Sequence, residues 1–176
     1  MGLSARHPSA RESFADESAT AVALRSPEPG QQYAALPYRP TGDGDVDVLL
    51  ITSRETRRWV IPKGWPMKGR KPHQVAAIEA RQEAGVTGKV EKTPLGEYVY
   101  VKRLKNGAPL DCTVQVYPLR VVRQRQTWRE KGQRTGHWFS AEEAAELVDE
   151  PSLRGLILAF AVREAMAWTL ESGGPD

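Results

Sequence analysis

Glu79 and Glu83 stand four residues apart, directly after a run of strongly basic sequence. On a helix that spacing puts two side chains next to each other on one face. Like charges placed so cost roughly a few tenths of a kcal/mol unless something positive lies between them. A hard divalent cation is one such partner. Magnesium takes oxygen ligands and is commonly held by one or two carboxylates together with substrate phosphates. Glutamate pairs at this spacing also occur on ordinary solvated helices, so the pair alone leaves both readings open. From residue 54 to 71 there are seven basic residues (Arg54, Arg57, Arg58, Lys63, Lys68, Arg70 and Lys71) against one acid, Glu55. The last part, Lys63-Gly64-Trp65-Pro66-Met67-Lys68-Gly69-Arg70, also holds two glycines. Glycine lets a backbone approach a phosphate closely, and lysine and arginine neutralise its charge. Phosphoryl chemistry is mostly positioning and charge stabilisation, and a cation site beside such a loop supplies both. A solvated loop would carry the same charges.

These residues need a scaffold. Pro72 suits a first helical turn, where its missing N–H costs nothing. Gly85 suits the left-handed residue just past a helix end. Between them Ala76, Ala77, Ala80 and Ala84 follow helical spacing, and such small side chains allow a helix to lie very close to a sheet. The expected helix therefore spans 72–84. Gln32 to Tyr38 reads as a first strand, Val46 to Thr52 as a strongly apolar central one, and Trp59-Val60-Ile61 as a short one stopped by Pro62. Residues 63–71 read as an irregular loop. Glu97–Lys102 and Asp111–Val122 alternate as strands, joined through the hairpin signal Lys105-Asn106-Gly107. Cys112, Val114 and Val116 share one face, which makes Cys112 a buried strand residue. Ser140 and Glu143 form a capping box at the start of a short helix. A long helix follows from about Pro151 to Leu170, with an apolar stripe through Leu153, Ile157 and Phe160. Mixed strands with a few helices indicate an α/β or α+β sandwich. Residues 1–30 show no periodicity and are expected to be a disordered tail, leaving a domain over 31–170 and a loose end at 171–176.

The stretch Gly64 to Val86 resembles the Nudix box, G-x5-E-x7-R-E-U-x-E-E-x-G-U, where U is a bulky aliphatic. Gly64 falls on its first glycine, Glu79 on the glutamate after the arginine, Glu83 on the last glutamate, and Gly85 and Val86 on the closing pair, without a gap. Val46–Thr52, Arg58-Trp59-Val60-Ile61-Pro62 and Gly136-His137-Trp138-Phe139 also look like segments of this family, which extends the resemblance over about Gln32 to Leu170. It implies a Nudix-type α/β/α sandwich, with a mixed β-sheet and the box as loop–helix–loop. The subgroup it looks most similar to is the diphosphoinositol polyphosphate phosphohydrolases and diadenosine polyphosphate hydrolases.

The box also departs from its pattern. Arg70 stands at its first glutamate, Ile78 at its arginine, Ala80 at a bulky aliphatic, and Gln82 at the first of the paired glutamates. The resemblance implies that Glu79, Glu83 and the main-chain carbonyl of Lys63 hold Mg2+ (or Mn2+), with Gln82 offering only an amide oxygen. It makes Glu79, Glu83 and the loop residue Glu130 the catalytic candidates. It places Arg39, Ser53, Arg54, Lys63 and, as a looser match, Arg134 near a phosphate-rich substrate. The implied reaction is Mg-dependent hydrolysis of a phosphoanhydride in a nucleoside or dinucleoside polyphosphate or a diphosphoinositol polyphosphate. The departures at 78 and 82 keep a second reading open, a catalytically weakened polyphosphate-binding module.

Bulk properties narrow the field further. The 176 residues suffice for one domain with a core, and no apolar run reaches the ~18 residues needed to span a bilayer. One cysteine excludes an intramolecular disulfide and a Cys-rich zinc site. A reducing cytoplasm is therefore the expected compartment. The net charge of +3 is only mildly basic. The arginine-rich stretch 120–134 comes without a nucleic-acid motif, so the expected partner is a small polyphosphate rather than a nucleic acid or a membrane.

Overall fold

Strand periodicity and helix signals assemble into three layers in the computed structural model, which describes residues 29–173. The strands are β1 (Gly30–Pro40), β2 (Val46–Thr52), β3 (Trp59–Val60), β4 (Lys63–Gly64), β5 (Val86–Val90), β6 (Gly96–Arg103), β7 (Pro109–Gln124) and β8 (Gly136–Ser140). The helices are α1 (Pro72–Glu79), α2 (Ala141–Leu147) and α3 (Pro151–Glu171). The centre of the sheet runs β3-β2-β1-β7-β5, while β4 pairs with β1, β6 with β7, and β8 with β2. β1 and β7 are parallel and the other pairs antiparallel, so the sheet is mixed.

Alternation along β1 divides two cores. Ala34, Leu36 and Tyr38 face one side, where they meet Val48, Leu50, Val114 and Val116, and Leu153, Ile157 and Phe160 of α3 cover them. Ala35 faces the other, with Leu49, Ile51, Tyr117 and Leu119, under Ala76, Ala80 and Ala84 of the helix that follows the basic loop. Each large apolar side chain buried this way contributes roughly 1.5–3 kcal/mol. Both faces of the sheet are covered, the three-layer α/β/α sandwich expected from sequence.

Local signals account for the ends of elements. Ser140 Oγ accepts from the Glu143 N–H and the Glu143 carboxylate accepts from the Ser140 N–H, the reciprocal box that starts α2. Gly107, at φ +80°, lies in the turn between β6 and β7, closed by the Leu104 N–H to the Ala108 carbonyl at 2.9 Å. Cys112 is buried in β7. Two strands have weak sequence signals. β5 is an edge strand, half exposed, with a bulge between Thr87 and Gly88. β4 is only two residues long, inside the stretch expected to be irregular. The tail expected over 1–30 lies, up to residue 28, outside the described residues, and Gly30 already belongs to β1. At the other end α3 includes Glu171, and residues 174–176 also fall outside the described residues.

Candidate active site

The helix over 72–84 is α-helical only as far as Glu79. Ala80–Ala84 form a π-helical turn, closed by the Gly85 N–H to the Ala80 carbonyl, and Gly85 itself is left-handed at φ 69°. Such turns are rare and concentrate at functional sites. Here the turn carries Glu83. Ala80 and Ala84 press against the sheet, which holds the turn down and leaves Glu83 buried.

Glu79 reaches the strand before the loop. A methyl group on Gly64 would overlap the Glu79 carboxyl group, so the glycine in β4 is the surface on which that carboxylate lies. Gly64 is fixed in turn by β1, through pairing with Tyr33.

The helix's last carbonyls have no partner within the helix, and the segment after β7 supplies them. The Arg125 N–H donates to the Gly85 carbonyl at 2.8 Å and the Glu130 N–H to the Gln82 carbonyl at 3.1 Å. The Trp128 ring covers Gly85, where a Cβ would come within 2.5 Å of it. Arg129 Nη1 donates to Gln82 Oε1 at 3.2 Å, so the amide oxygen at that position is already engaged. This docking brings Glu130 and Arg134 to the glutamates. Arg134 Nη2 lies 3.2 Å from Glu83 Oε1, its Nε donates to Glu130 Oε2 at 2.6 Å, and its Nη1 donates to the Thr52 carbonyl at 3.2 Å.

The electrostatics follow from burial. Desolvation raises the Glu83 carboxyl to about 7, opposed by Arg134 and Lys63 and reinforced by Glu79 and Glu130. Glu79 is raised by desolvation and then by Glu130, opposed by Arg134 and Arg129. Lys63 is lowered to about 8, again by desolvation first, with Glu83 acting the other way. Three carboxylates thus sit within reach of one another's charge, two of them partly stripped of water.

Glu83 and Arg134 open onto a cleft of about 680 Å³, whose lining also includes Ser53, Arg54 and Lys63. Lys63 Nζ lies over the Tyr100 ring at 4.9 Å from its centroid. Arg54 is exposed and 3.7 Å from Glu130. Ser53 Oγ pairs with Thr56 Oγ1 and accepts the Arg58 N–H, which shapes the turn at the cleft edge. Two residues expected near substrate are placed differently. Arg39 is absent from the cleft lining; it pairs with Asp47 at 2.8 Å and stacks on Trp138 at 4.5 Å. Arg134 is at the cleft but turned inward, its side chain only 10% exposed and held by three protein acceptors. Sequence reasoning missed Tyr100 and Lys102, and named Arg58 only as part of the basic cluster. Arg58 lines the cleft through ion pairs to Asp149 and Glu150 at the start of α3. Tyr100 and Lys102 share a face of β6, and that alternation was a usable signal, since Tyr100 Oη also reaches the buried Gln32 at 2.6 Å.

The donor set suits a hard divalent cation. Glu79, Glu83 and Glu130 offer oxygen ligands and mutual repulsion that a cation would relieve. Among the described residues no three acidic, histidine or cysteine side chains converge closely enough to cage a metal. The fit is therefore to an ion held by one or two carboxylates and completed by substrate oxygens.

No family model matches the chain. Nudix hydrolase 21, a chloroplastic protein of Arabidopsis thaliana, is 31% identical over 137 residues, which cover 76% of this chain and 67% of that protein. The chain belongs to the Nudix hydrolase family. Nudix hydrolase 12 of the same plant, a mitochondrial protein, is 30% identical over 107 residues, covering 58% of this chain and 52% of its own length. The chain thus spans between about half and two thirds of these relatives. Solved Nudix structures share its fold. A Nudix hydrolase from Nitrosomonas europaea superposes with a TM-score of 0.59 at 18% identity, over 78% of this chain and 91% of that one. A C. elegans Ap4A hydrolase in a binary complex does so with a TM-score of 0.55 at 20% identity, over 81% and 98%. The segment Gly64–Val86, which resembles the Nudix box, holds Glu79 and Glu83, and Glu130 lies outside it.

Proposed function

We propose that this Nudix chain is a magnesium-dependent hydrolase, with manganese as an alternative cation, that cleaves a phosphoanhydride bond. The candidate substrates are nucleoside or dinucleoside polyphosphates and diphosphoinositol polyphosphates. The observation that carries the reading is Glu83, buried at the edge of a large cleft that also presents Arg54 and Lys63. A wholly acidic site would repel phosphate and a wholly basic one could not hold the cation. Here the two charges meet at one place. The fold neighbour named Ap4A hydrolase supports a dinucleoside polyphosphate among the candidates, and the basic cleft wall supports a diphosphoinositol polyphosphate equally.

In this reading Glu79, Glu83 and the Lys63 carbonyl would hold the cation. When bound it supplies charge neutralisation on phosphate oxygens and a more acidic water. Lys63 and Arg54 bind and orient the phosphate chain, and their charge stabilises the departing phosphate. Glu130 or Glu83 accepts the proton of the attacking water, and at Glu83 desolvation favours proton uptake. Among the described residues no helix is long and apolar enough to cross a membrane. We place the protein in the cytoplasm, where its buried Cys112 stays a thiol. Relatives carry chloroplastic and mitochondrial names, so targeting would be settled separately by localising the tagged protein.

The test is phosphate or nucleotide release from a panel of these compounds with Mg2+, Mn2+ and EDTA. Turnover of at least one compound, abolished by EDTA, is expected. No turnover, with the same compounds still raising the melting temperature, would instead make the chain a polyphosphate-binding module. Ile78 and the engaged Gln82 amide are the observations that favour this second reading. Activity appearing only after Ile78→Arg with Gln82→Glu would establish it.

A further inference from the structure

The Nudix box of this chain lacks its arginine, because Ile78 stands there, yet its carboxylates are not left without a guanidinium. We infer that Arg134, on the segment between β7 and β8, is the positioning residue that holds Glu83 and Glu130 in register for the cation. The inference rests on the hydrolase reading and deepens it.

Three observations carry it. The first is engagement of all three guanidinium nitrogens. Arg134 spends its Nε on Glu130, one terminal nitrogen on Glu83 and the other on the Thr52 carbonyl, at 2.6, 3.2 and 3.2 Å. A guanidinium is a planar fork with donors in fixed directions. Joining an acceptor on the box helix, one on its own segment and one on β2 therefore fixes the relative position of all three. The second is burial. The side chain is 10% exposed, against 57% for Arg54 beside it. Arg54 is exposed, with only long contacts to Glu130 and Gln133, and Arg134 is committed to protein. The third is anchoring. The segment that delivers Arg134 is pinned to the last turn of the box helix by Arg125, Trp128, Arg129 and Glu130. Arg134 consequently turns toward substrate only by giving up its contacts to Glu130, Glu83 and Thr52. Position 78 precedes Glu79 on the same helix, whereas Arg134 reaches Glu83 from the segment between β7 and β8. The support has moved from within the box to a different part of the chain.

Charge alone and positioning predict opposite signs. A cation near Glu83 is repelled by the Arg134 charge, so if Arg134 were only a neighbour, removing it would tighten cation binding. If it positions the carboxylates, removing it lets like charges spread and weakens binding. The experiment measures Mn2+ binding to substrate-free protein by electron paramagnetic resonance, for the wild type, Arg134→Gln, Arg134→Lys, and Arg134→Gln combined with Ile78→Arg. Circular dichroism and melting temperature confirm folding of each variant. The expected result is binding weakened at least about fivefold in Arg134→Gln. Arg134→Lys is expected to be weakened too, because an ammonium keeps the charge but lacks the planar fork. The double variant should return to within about twofold of wild type, since it restores a guanidinium on the box helix. On whichever substrate the panel identifies, kcat should fall in Arg134→Gln with KM little changed. Tighter or unchanged Mn2+ binding in Arg134→Gln overturns the inference, as does a rise in KM alone, which would make Arg134 a phosphate ligand. Should Arg134→Gln fail to fold, Arg134→Lys decides, and wild-type affinity there overturns it. A wild-type chain that binds no Mn2+ with or without a panel compound present would overturn the hydrolase reading itself, a result distinct from all of these.

Discussion

The two helical layers cover the same sheet with opposite kinds of side chain. On one face α3 buries Leu153, Ile157 and Phe160 against Leu36, Tyr38 and Leu50, beside the alanines of α2, with Tyr38 and Phe160 edge-on at 4.7 Å. On the other the box helix meets the sheet core through Ala76, Ala80 and Ala84, with Val75 as its one large fully buried side chain among the described residues. Large apolar side chains hold a helix some distance above a sheet and stabilise it there. Small ones stabilise less but let the helix backbone come close, so a glutamate on its flank can lie on a strand glycine. The first face is built for cohesion and the second for reach. The cost of the second arrangement is visible in its charges, since Glu79 and Glu83 are both pushed toward the protonated form by desolvation.

That contrast can be broken from either side. Phe160→Ala should cost about 3–5 kcal/mol of stability, the usual loss for emptying a large buried aromatic. The molecules that remain folded should turn over at the wild-type rate, because Phe160 itself does not line the cleft. Urea denaturation with activity normalised to folded fraction checks both halves, and a proportional loss of specific activity would show that the layers are coupled. Gly64→Ala should do the reverse. The new methyl displaces the Glu79 carboxyl group, the end of a flexible side chain, so the melting temperature should barely move. Turnover should drop about 100-fold, the scale of an ångström-sized misplacement at a reacting centre. Full activity in this variant would remove Glu79 from the site. Glu83→Gln keeps the volume and removes the charge, and a loss of tenfold or more in kcat is expected, equivalent to about 1.4 kcal/mol of transition-state stabilisation. An unchanged rate would shift the role to Glu130.

The two layers also differed in how far the sequence revealed them. α3 could be read from its stripe, and α2 from Ser140 and Glu143, because periodicity and capping are local. The box helix runs between Pro72 and Gly85 as its end signals predict, and the spacing of Glu79 and Glu83 is the signal from which the cation site is proposed. Its change to a π turn at Ala80 has no local signal, since it depends on how the alanines seat on β1 and β5. Arg134 was expected among the phosphate contacts. It faces the carboxylates instead, because the segment carrying it docks through backbone N–H groups on the helix's free carbonyls, and side-chain patterns do not report such contacts. Arg39 was likewise expected near substrate, and its partner Asp47 is explained only by the β1–β2 register. Lys102 and Tyr100 could have been proposed from the alternation of β6, once β6 was known to border the cleft.

The smallest perturbation tests whether cohesion on the first face can be reduced without touching the second. Ser140 caps α2 by accepting the Glu143 N–H at 3.2 Å, in a reciprocal arrangement with the Glu143 carboxylate. Ser140→Ala removes one half of that box, and a loss of about 1 kcal/mol is expected, typical of an N-cap. Ser140 also ends β8, whose other end, Gly136, pairs with Ile51 one residue from the Thr52 carbonyl that holds Arg134. If β8 behaves as a rigid spacer, the loss stays at the cap. Mn2+ affinity and turnover should then match wild type while the denaturation midpoint falls. A matching fall in Mn2+ affinity would mean that the cap strain travels along β8 to Arg134, and that the separation of the two faces is incomplete at this strand.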